Sequence, residues 1–570
     1  MSNILLNSGN NTLSYNGTNY VINGEDCTFP VTLTNNTDSI AILNFETDIQ
    51  TTNQLTFFII YSNNITINGN NNKVELINVM EYSGLCQNGT SDSEGKSNVI
   101  VKNVNVISTG SALSSQNGWI CQSYFSKNAS ECQINNCSSD GPISELGGGI
   151  VGSYANYGSS STLSIENCFS TGIINSRGGG IVGSYANSGS SGTLSIQNCC
   201  STGIINIYGG GILGSNANDG SSGTIIIKNC YSTGIINQSG GGIYGFFANN
   251  AASGNCIALC CYSKGNIVGT NSGGIYSSQT NNASENIDSH CVAVNCYSTG
   301  DISGAQTGGI FGYGANYAGH GYCKAVNCYS TGAITGTNSG GVFGLGANNS
   351  ASGYCEASYC YTSGSGTSNG IFSAADANGN DNLDNDAIIG TYNYSEANHM
   401  SSGWNDSHAT YSVGNQYSLL MSIDSIDIWL KPNISEINIP FLLLAFNDSL
   451  YSDTYQATIN IGSITTLSIS NSDAGVWYTN DNSVIVSNNE ATIGQLTSEN
   501  SGTYNIYVIN GSGDSILTIY GYNINKFELT VRTNNNINTN NNMNNSVLFK
   551  LINTKNKKYI RRIKNTIIKL

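Results

Sequence analysis

Short runs of alternating apolar and polar residues, separated by asparagine and glycine, occupy most of this chain. Within residues 57–108 the runs ITIN, KVELINV and NVIVKNVNVIS place an apolar side chain at nearly every second position. A period of two puts successive side chains on opposite faces of an extended strand. Asparagine and glycine between the runs favour tight turns. The pattern therefore predicts many short strands, and it lacks the runs of helix-forming residues that a helical repeat would need.

The alternation becomes a strict repeat in the middle of the chain. The phrase NC(Y/F)STG, followed by GG(I/V)xG and AN, returns at spacings of 31, 31, 31, 31, 35, 32 and 32 residues. Its cysteines are Cys137, Cys168, Cys199, Cys230, Cys261, Cys296, Cys328 and Cys360. A period of this size is typical of a solenoid, in which each unit stacks on the next. Three short strands per unit predict one turn of a right-handed parallel β-helix, so we expect an all-β fold.

Each unit has positions that we expect to face the interior. The position five residues before the repeated cysteine is occupied by cysteine or an aliphatic residue, beginning with Cys132 and Leu163. The third strand contributes the column Ile150, Ile181, Ile212, Ile243, Ile275, Ile310 and Val342, and in its last unit Gly344 and Ala347 should also point inward. The thiols are interpreted as small core hydrophobes stacked in a ladder. Disulfides between adjacent coils, or within a Cys-x4-Cys pair, remain the alternative.

Asparagine precedes the repeated cysteine in most units. The column consists of Asn136, Asn167, Asn198, Asn229, Asn295 and Asn327, with Cys260 in place of asparagine in one unit. Stacked amides can hydrogen-bond from coil to coil, as asparagine ladders do in cross-β stacks. We therefore expect these residues to lie at a corner of the coil and to form a ladder.

The change of pattern along the chain predicts five regions. Residues 1–56 are expected to cap the solenoid, residues 57–372 to form the parallel β-helix (regular over 137–360), and residues 373–446 to close its other end. Eight alternating runs in residues 447–533 predict a small immunoglobulin-like β-sandwich. Residues 534–570 combine an asparagine-rich linker with a basic tail that would be amphipathic as a helix; the alternative is an unstructured tail.

Charge narrows the range of partners. The chain carries 19 basic and 35 acidic residues, a net charge of −16. Eight basic residues lie in the last 25 positions, so the remainder has 11 basic against 35 acidic residues, a net charge of −24. Such a body should not bind nucleic acid, which requires cationic neutralisation, whereas the tail could contact a membrane or an acidic partner. We expect neither a secretory signal at the amino terminus nor a membrane span.

The acidic residues do not form the pairs that glycoside hydrolysis requires. Residues on adjacent coils are 31 to 35 apart in sequence, and Glu166 would stack on Gln197 and Lys228 rather than on a second carboxylate. The four histidines are scattered, which disfavours zinc. Residues 376–387 begin like an EF-hand loop but lack its glycine and final glutamate, so a solvated loop is preferred. We predict no catalytic residues, no metal site and no cofactor.

The run GGIVGSYAN…NCYSTG resembles the GLUG-type repeats of bacterial surface proteins. With QNGWICQSYF and IWLKPN…IPFLLLAF, it is more closely similar to parallel β-helix proteins encoded by giant DNA viruses of amoebae. The resemblance covers about residues 30–446 and implies a virion location, with a host-surface glycan or other virion proteins as partners and self-association as an option. The expected function is a non-catalytic structural or attachment protein. The alternatives are a glycan-binding or polysaccharide-cleaving protein of tailspike type and a bacterial adhesin or effector.

Overall fold

The computed structural model confirms an all-β parallel solenoid of about 11 turns, with no helix in the described part of the chain. It describes residues 2–282, 289–326, 328–348, 353–358, 360–362 and 371–373, the side chains of Ser358 and Tyr361 excepted; beyond these it gives only the backbones of strands. The chain divides into two compact units, Met1–Ser412 and Val413–Leu570. The first contains the solenoid.

Each turn contributes one strand to a sheet that we call flank 1. Its parallel strands are Gly9–Tyr15, Ala41–Phe45, Ile65–Asn68, Ile100–Lys102, Cys132–Asn135, Thr162–Glu166, Thr193–Gln197, Thr224–Lys228, Asn255–Leu259, His290–Val294, Tyr322–Val326, Tyr354–Ser358 and Ile388–Thr391. The register keeps equivalent residues aligned, so that Leu163 pairs with Leu194 and Leu194 with Ile225. The same type of side chain therefore recurs at each level of the stack.

The following strand of each turn lies in flank 2, which is also parallel. Its strands are Ile49–Thr51, Lys73–Ile77, Asn105–Thr109, Ser138–Ser139, Phe169–Ser170, Cys200–Ser201, Tyr231–Ser232, Tyr262–Ser263, Tyr297–Ser298, Tyr329–Ser330, Tyr361–Thr362 and Tyr394–Ser395. From residue 138 onward these strands are two residues long, because glycine follows within the STG and related turns. A second buried column begins with Ile143 and Ile174 and continues to Ile334. In each turn its residue follows the flank 2 strand.

Flank 3 completes the coil. It begins with the strands Ser2–Leu6, Val31–Asn35, Thr56–Ile60 and Gly84–Gln87, and continues as single parallel bridges from Cys121 to Phe343. The amide groups of Ile150 and Val151 both donate to the carbonyl of Ile181. Two donors that share one acceptor produce a bulge-like corner, and both side chains turn inward.

This corner adds one residue per turn to the expected core. Val342 and Ala347 are fully buried, but so is Phe343, next to Val342, which strict alternation would have placed outside. The interior is otherwise one continuous hydrophobic cluster from Ile4 to Phe372.

The solenoid register begins at the amino terminus, within the residues expected to form a cap. Ser2–Leu6 pairs in parallel with Val31–Asn35, and Gly9–Tyr15 with Ala41–Phe45. The antiparallel strands Tyr20–Ile22 and Glu25–Cys27 extend flank 1 beyond Gly9–Tyr15. Because they pair with the edge of the first strand, they protect the backbone groups that the solenoid would otherwise expose there.

The closing region, the β-sandwich and the basic tail expected over 373–570 lie almost entirely outside the fully described residues. The strands whose backbones are given in the second unit are Leu419–Ile423, Ile426–Leu430, Leu444–Phe446, Tyr455–Thr458, Thr465–Ser468, Val476–Thr479, Val484–Ser487, Glu490–Ile493, Gly502–Asn510, Gly513–Tyr522, Lys526–Asn534, Leu548–Lys550 and Arg561–Ile563.

Candidate functional site

The repeated cysteines form a buried column at the corner between flanks 1 and 2. Cys137, Cys168, Cys199, Cys230, Cys261, Cys296, Cys328 and Cys360 are each at most 1% exposed. The sulfur of Cys168 lies 3.2 Å from the carbonyl oxygen of Glu166 and 3.9 Å from that of Ile134 in the preceding turn. Cys132 is buried as well, in flank 1. All 18 cysteines are free thiols in this structure, so this column is built from packed thiols and weak S–H hydrogen bonds.

Burial controls the protonation of these thiols. It raises the pKa of Cys137, Cys168, Cys199 and Cys230 well above that of an ordinary cysteine, because the thiolate would lose its hydration inside the stack. A thiol must ionise to act as a nucleophile or as a metal ligand. These four thiols are therefore protonated and unreactive at neutral pH.

The asparagines before the cysteines lie at an exposed or half-buried corner. Asn198 donates to Asn167 and Asn229 donates to Asn198, each over 3.2 Å, while Asn136 donates to Asn103. The backbone φ angles of the column lie between 52° and 54°, in the left-handed region that asparagine tolerates. The side-chain nitrogen of Asn295 donates to the sulfur of Cys260 over 4.0 Å, and Asn327 lies outside the described residues.

A second and stronger asparagine ladder was not anticipated from the sequence. It runs through the asparagine of the AN dipeptide that follows flank 3, which is TN in one turn: Asn156, Asn187, Asn218, Asn249, Asn281, Asn316 and Asn348. All seven side chains are fully buried. From Asn156 to Asn316, each side-chain nitrogen donates to the amide oxygen of the asparagine in the next turn over 2.7 to 3.0 Å. The recurrence of AN at the repeat period was the available signal, but its burial depends on how the corner packs.

These side-chain amides also donate to backbone carbonyls a few residues further along the same coil. Asn218 donates a further hydrogen bond of 3.0 Å to the carbonyl of Gly223, and Asn249 donates one of 2.8 Å to Gly254. The same side-chain amide thus closes a local chain reversal and links two successive turns of the solenoid. Buried polar groups of this kind are costly unless every partner is present, so the ladder requires an uninterrupted stack.

Aromatic rings also stack from turn to turn in several columns, including one inside flank 3 and one on flank 2. Inside flank 3, Tyr244, Tyr276, Phe311, Phe343 and Phe372 stack with ring centroids 4.5 to 4.8 Å apart. On flank 2, Tyr231, Tyr262, Tyr297 and Tyr329 stack with centroids 4.7 to 4.8 Å apart and interplanar angles of 1° to 6°. Ring faces that lie against one another are unavailable to a sugar ring, which would need an open aromatic face.

Several carboxylates accept hydrogen bonds from neighbouring rungs. Asp140 accepts the backbone N–H of Ser108, Asp301 accepts that of Ala333, and Glu75 accepts the side-chain amide of Gln50. Glu166 pairs in register with Gln197, and Gln197 with Lys228, as the repeat period predicted. Asp140, Asp301 and Glu75 thus accept hydrogen bonds from an adjacent turn.

Within the described residues, no group of three or more histidine, cysteine, aspartate or glutamate side chains is arranged to hold a metal ion. None of the described segments is a helix with the length and apolar character of a membrane span. Comparison with protein-family models, with curated proteins and with solved structures found no match to this chain.

Proposed function

We propose that this protein is a non-catalytic structural or attachment protein whose solenoid serves as a rigid shaft. The observation that carries the proposal is the fully buried asparagine ladder from Asn156 to Asn348, which links seven consecutive turns through side-chain hydrogen bonds. Bending the shaft would break these bonds in a region that water cannot reach. Rigid display is therefore the role that the geometry best supports.

The proposed setting is the surface of a virus particle. It is supported by the resemblance of the repeat to β-helix proteins of giant DNA viruses. The acidic body agrees with a surface protein that stays soluble and does not bind nucleic acid. A host-surface glycan or another virion protein would be the partner at one end of the shaft.

Mass spectrometry of purified particles from a virus that encodes the chain tests this setting. Particles analysed without reduction should contain the chain at a structural-protein level, with its cysteines unpaired. A non-structural protein produced in the same infection, absent from the particles, is the control. Failure to find the chain in purified particles would overturn the virion assignment.

Incubation with amoebal and bacterial polysaccharides tests the absence of catalysis. We expect no new reducing ends, because the acids described above are held as structural acceptors. The charge-neutral variant Glu75→Gln is a matched control, since Glu75 lies in the less regular first turns, where a carboxylate pair is not ruled out by the repeat. Cleavage by the wild-type chain would favour the tailspike-like alternative, and its loss in this variant would place the active site there.

A further inference from the structure

An uncharged, largely apolar patch lies on the outside of flank 2. We call it the outer patch; it consists of Phe169, Thr171 and Ile173 in one turn, Cys200, Thr202 and Ile204 in the next, and Tyr231, Thr233 and Ile235 in the third. The exposed fractions of Phe169, Ile173, Ile204 and Ile235 are 45%, 47%, 39% and 43%. Successive turns align in register, because Phe169 pairs with Cys200 and Cys200 with Tyr231. The nine side chains therefore form three straight columns.

Two opposite charges bound the outer patch along its central column. Ser138 pairs with Phe169 and Tyr231 with Tyr262, so the threonine column continues to Asp140 at one end and to Lys264 at the other. Asp140 and Lys264 are both exposed. Asp140 lies two turns before Thr202, and Lys264 lies two turns after it.

We propose that the outer patch joins two copies of this chain, which run antiparallel about a two-fold axis that passes through the turn of Cys200 along the strand direction. A closed two-fold interface must be self-complementary. In this arrangement Phe169 faces Tyr231 of the second copy, Ile173 faces its Ile235, and Asp140 faces its Lys264. The charge pair occurs twice, once at each end of the contact.

The charges select this orientation over the parallel one. A two-fold axis along the solenoid would place Asp140 opposite Asp140 and Lys264 opposite Lys264. Like charges in contact disfavour that arrangement, whereas the antiparallel one pairs opposite charges at both ends. Every turn of one copy also matches a turn of the other, because both rise by the same strand spacing of about 4.8 Å.

A second copy fits this surface better than a glycan does. Tyr231 stacks on Tyr262 with ring centroids 4.8 Å apart and an interplanar angle of 1°, so one face of its ring is already covered. The five turns from Asp140 to Lys264 span roughly 20 Å, which implies an interface at the small end of the specific range. The dimer should therefore be weak and depend on concentration.

Analytical ultracentrifugation of the full chain and of three charge variants tests the orientation. Lys264→Asp and Asp140→Lys each place like charges together at both ends and should weaken dimerisation roughly tenfold. The double variant, Asp140→Lys with Lys264→Asp, restores opposite charges and should recover the wild-type dissociation constant. Thermal unfolding of each variant shows whether it is folded. A chain that remains monomeric over the whole concentration range, or a double variant without recovery, would overturn the proposal.

Cross-linking at Cys200 provides an independent readout. Facing sheets pack about 10 Å apart, which is too far for a disulfide, so a short bismaleimide is the suitable reagent. Each thiol adds across one maleimide double bond: a carbon–sulfur bond forms, and the thiol proton ends on the neighbouring ring carbon. The antiparallel dimer should cross-link through Cys200 and lose the product in Cys200→Ser.

Cys260→Ser is the matched control, because Cys260 is the other cysteine that is not fully buried, and this variant should still cross-link. A product that survives Cys200→Ser contradicts the proposed axis. The parallel arrangement places the two Cys200 residues on opposite sides of the patch and predicts no such product. None of these outcomes bears on the proposed rigid shaft, whose tests are separate.

Discussion

At the scale of single residues, one amino acid performs two different tasks in this protein. Asn198 and Asn218 both have positive φ, 54° and 61°, and both donate to or accept from the equivalent residue in the next turn. Asn198 is exposed, whereas Asn218 is fully buried. Water can replace the lost partner at the first position but not at the second, so the same bond contributes differently to stability.

Replacing the buried asparagine should therefore be far more damaging than replacing the exposed one. Asn218→Ala removes one rung and leaves the amide of Asn187 and the oxygen of Asn249 without their partners. We expect a loss of about 3 to 5 kcal/mol in the free energy of unfolding, measured by urea titration. The matched variant Asn198→Ala, at nearly the same φ, should lose only about 1 to 2 kcal/mol, mainly from the left-handed backbone. Equal losses would contradict the distinction.

The buried thiols predict a dependence of stability on pH. Because burial raises the pKa of Cys199 and Cys230 in the folded state, the unfolded chain releases these protons first as the pH rises. Stability is fully present below the ordinary thiol pKa of about 8.5 and declines above it, by up to about 1.4 kcal/mol per pH unit and thiol. Urea midpoints between pH 7 and pH 9.5, with a reductant present, measure the decline.

The double variant Cys199→Ala with Cys230→Ala is the control for this prediction. It should be less stable at pH 7, because two cavities are created, but its stability should fall less steeply with rising pH. A slope identical to that of the wild type would show that these thiols do not cause the alkaline decline.

At the scale of one structural element, the glycines of flank 3 fix how closely the turns approach. A Cβ atom on Gly210 would collide with the carbonyl oxygen of Leu213 and would lie 2.6 Å from the amide nitrogen of Gly245 in the next turn. Both obstacles are backbone atoms, which cannot move aside as a flexible side chain can. Equivalent glycines from Gly118 to Gly340 form the bridges of this column, so the corner requires glycine in every turn.

The variant Gly210→Ala should therefore destabilise the solenoid severely, by about 3 kcal/mol or more, because the turns must move apart. Gly220→Asn provides the comparison. Gly220 has a left-handed φ of 59°, and a Cβ there meets nothing within 4 Å. Asparagine tolerates that conformation, so this change should cost less than about 1 kcal/mol. Melting temperatures compare the two variants, and a similar drop in both would show that close approach is not the constraint.

At the scale of the whole molecule, each turn pairs its backbone with the turns above and below it. The register advances by 31 residues from Leu163 to Leu194 and again to Ile225. In such a stack the stability is approximately the sum of the turns and of the interfaces between neighbours. A complete turn is therefore a removable unit, whereas a fraction of a turn is not.

Deletion of residues 199–229, one complete turn of 31 residues, should leave a folded solenoid with one fewer turn. Circular dichroism should retain its β signal, and protease resistance should remain close to that of the wild type. The control is a deletion of residues 199–213, which removes 15 residues, about half a turn. After this deletion the flank 1 residues of the following turn would have to stack on the flank 3 residues of the preceding turn. We expect that control to aggregate or to be degraded. An equally disruptive whole-turn deletion would contradict the independence of the turns.

The sequence by itself determined the periodic features of this protein: the parallel solenoid, the rung length and the alignment of the cysteine and isoleucine columns. These follow from short-range alternation and from a period that any stack must share. Tertiary structure alone decided which face of a corner is buried. Ile150 and Val151 both turn inward because their amides share one carbonyl, and Asn156 is buried because the corner closes over it. Burial at a corner depends on the turns above and below, and no local pattern encodes that contact.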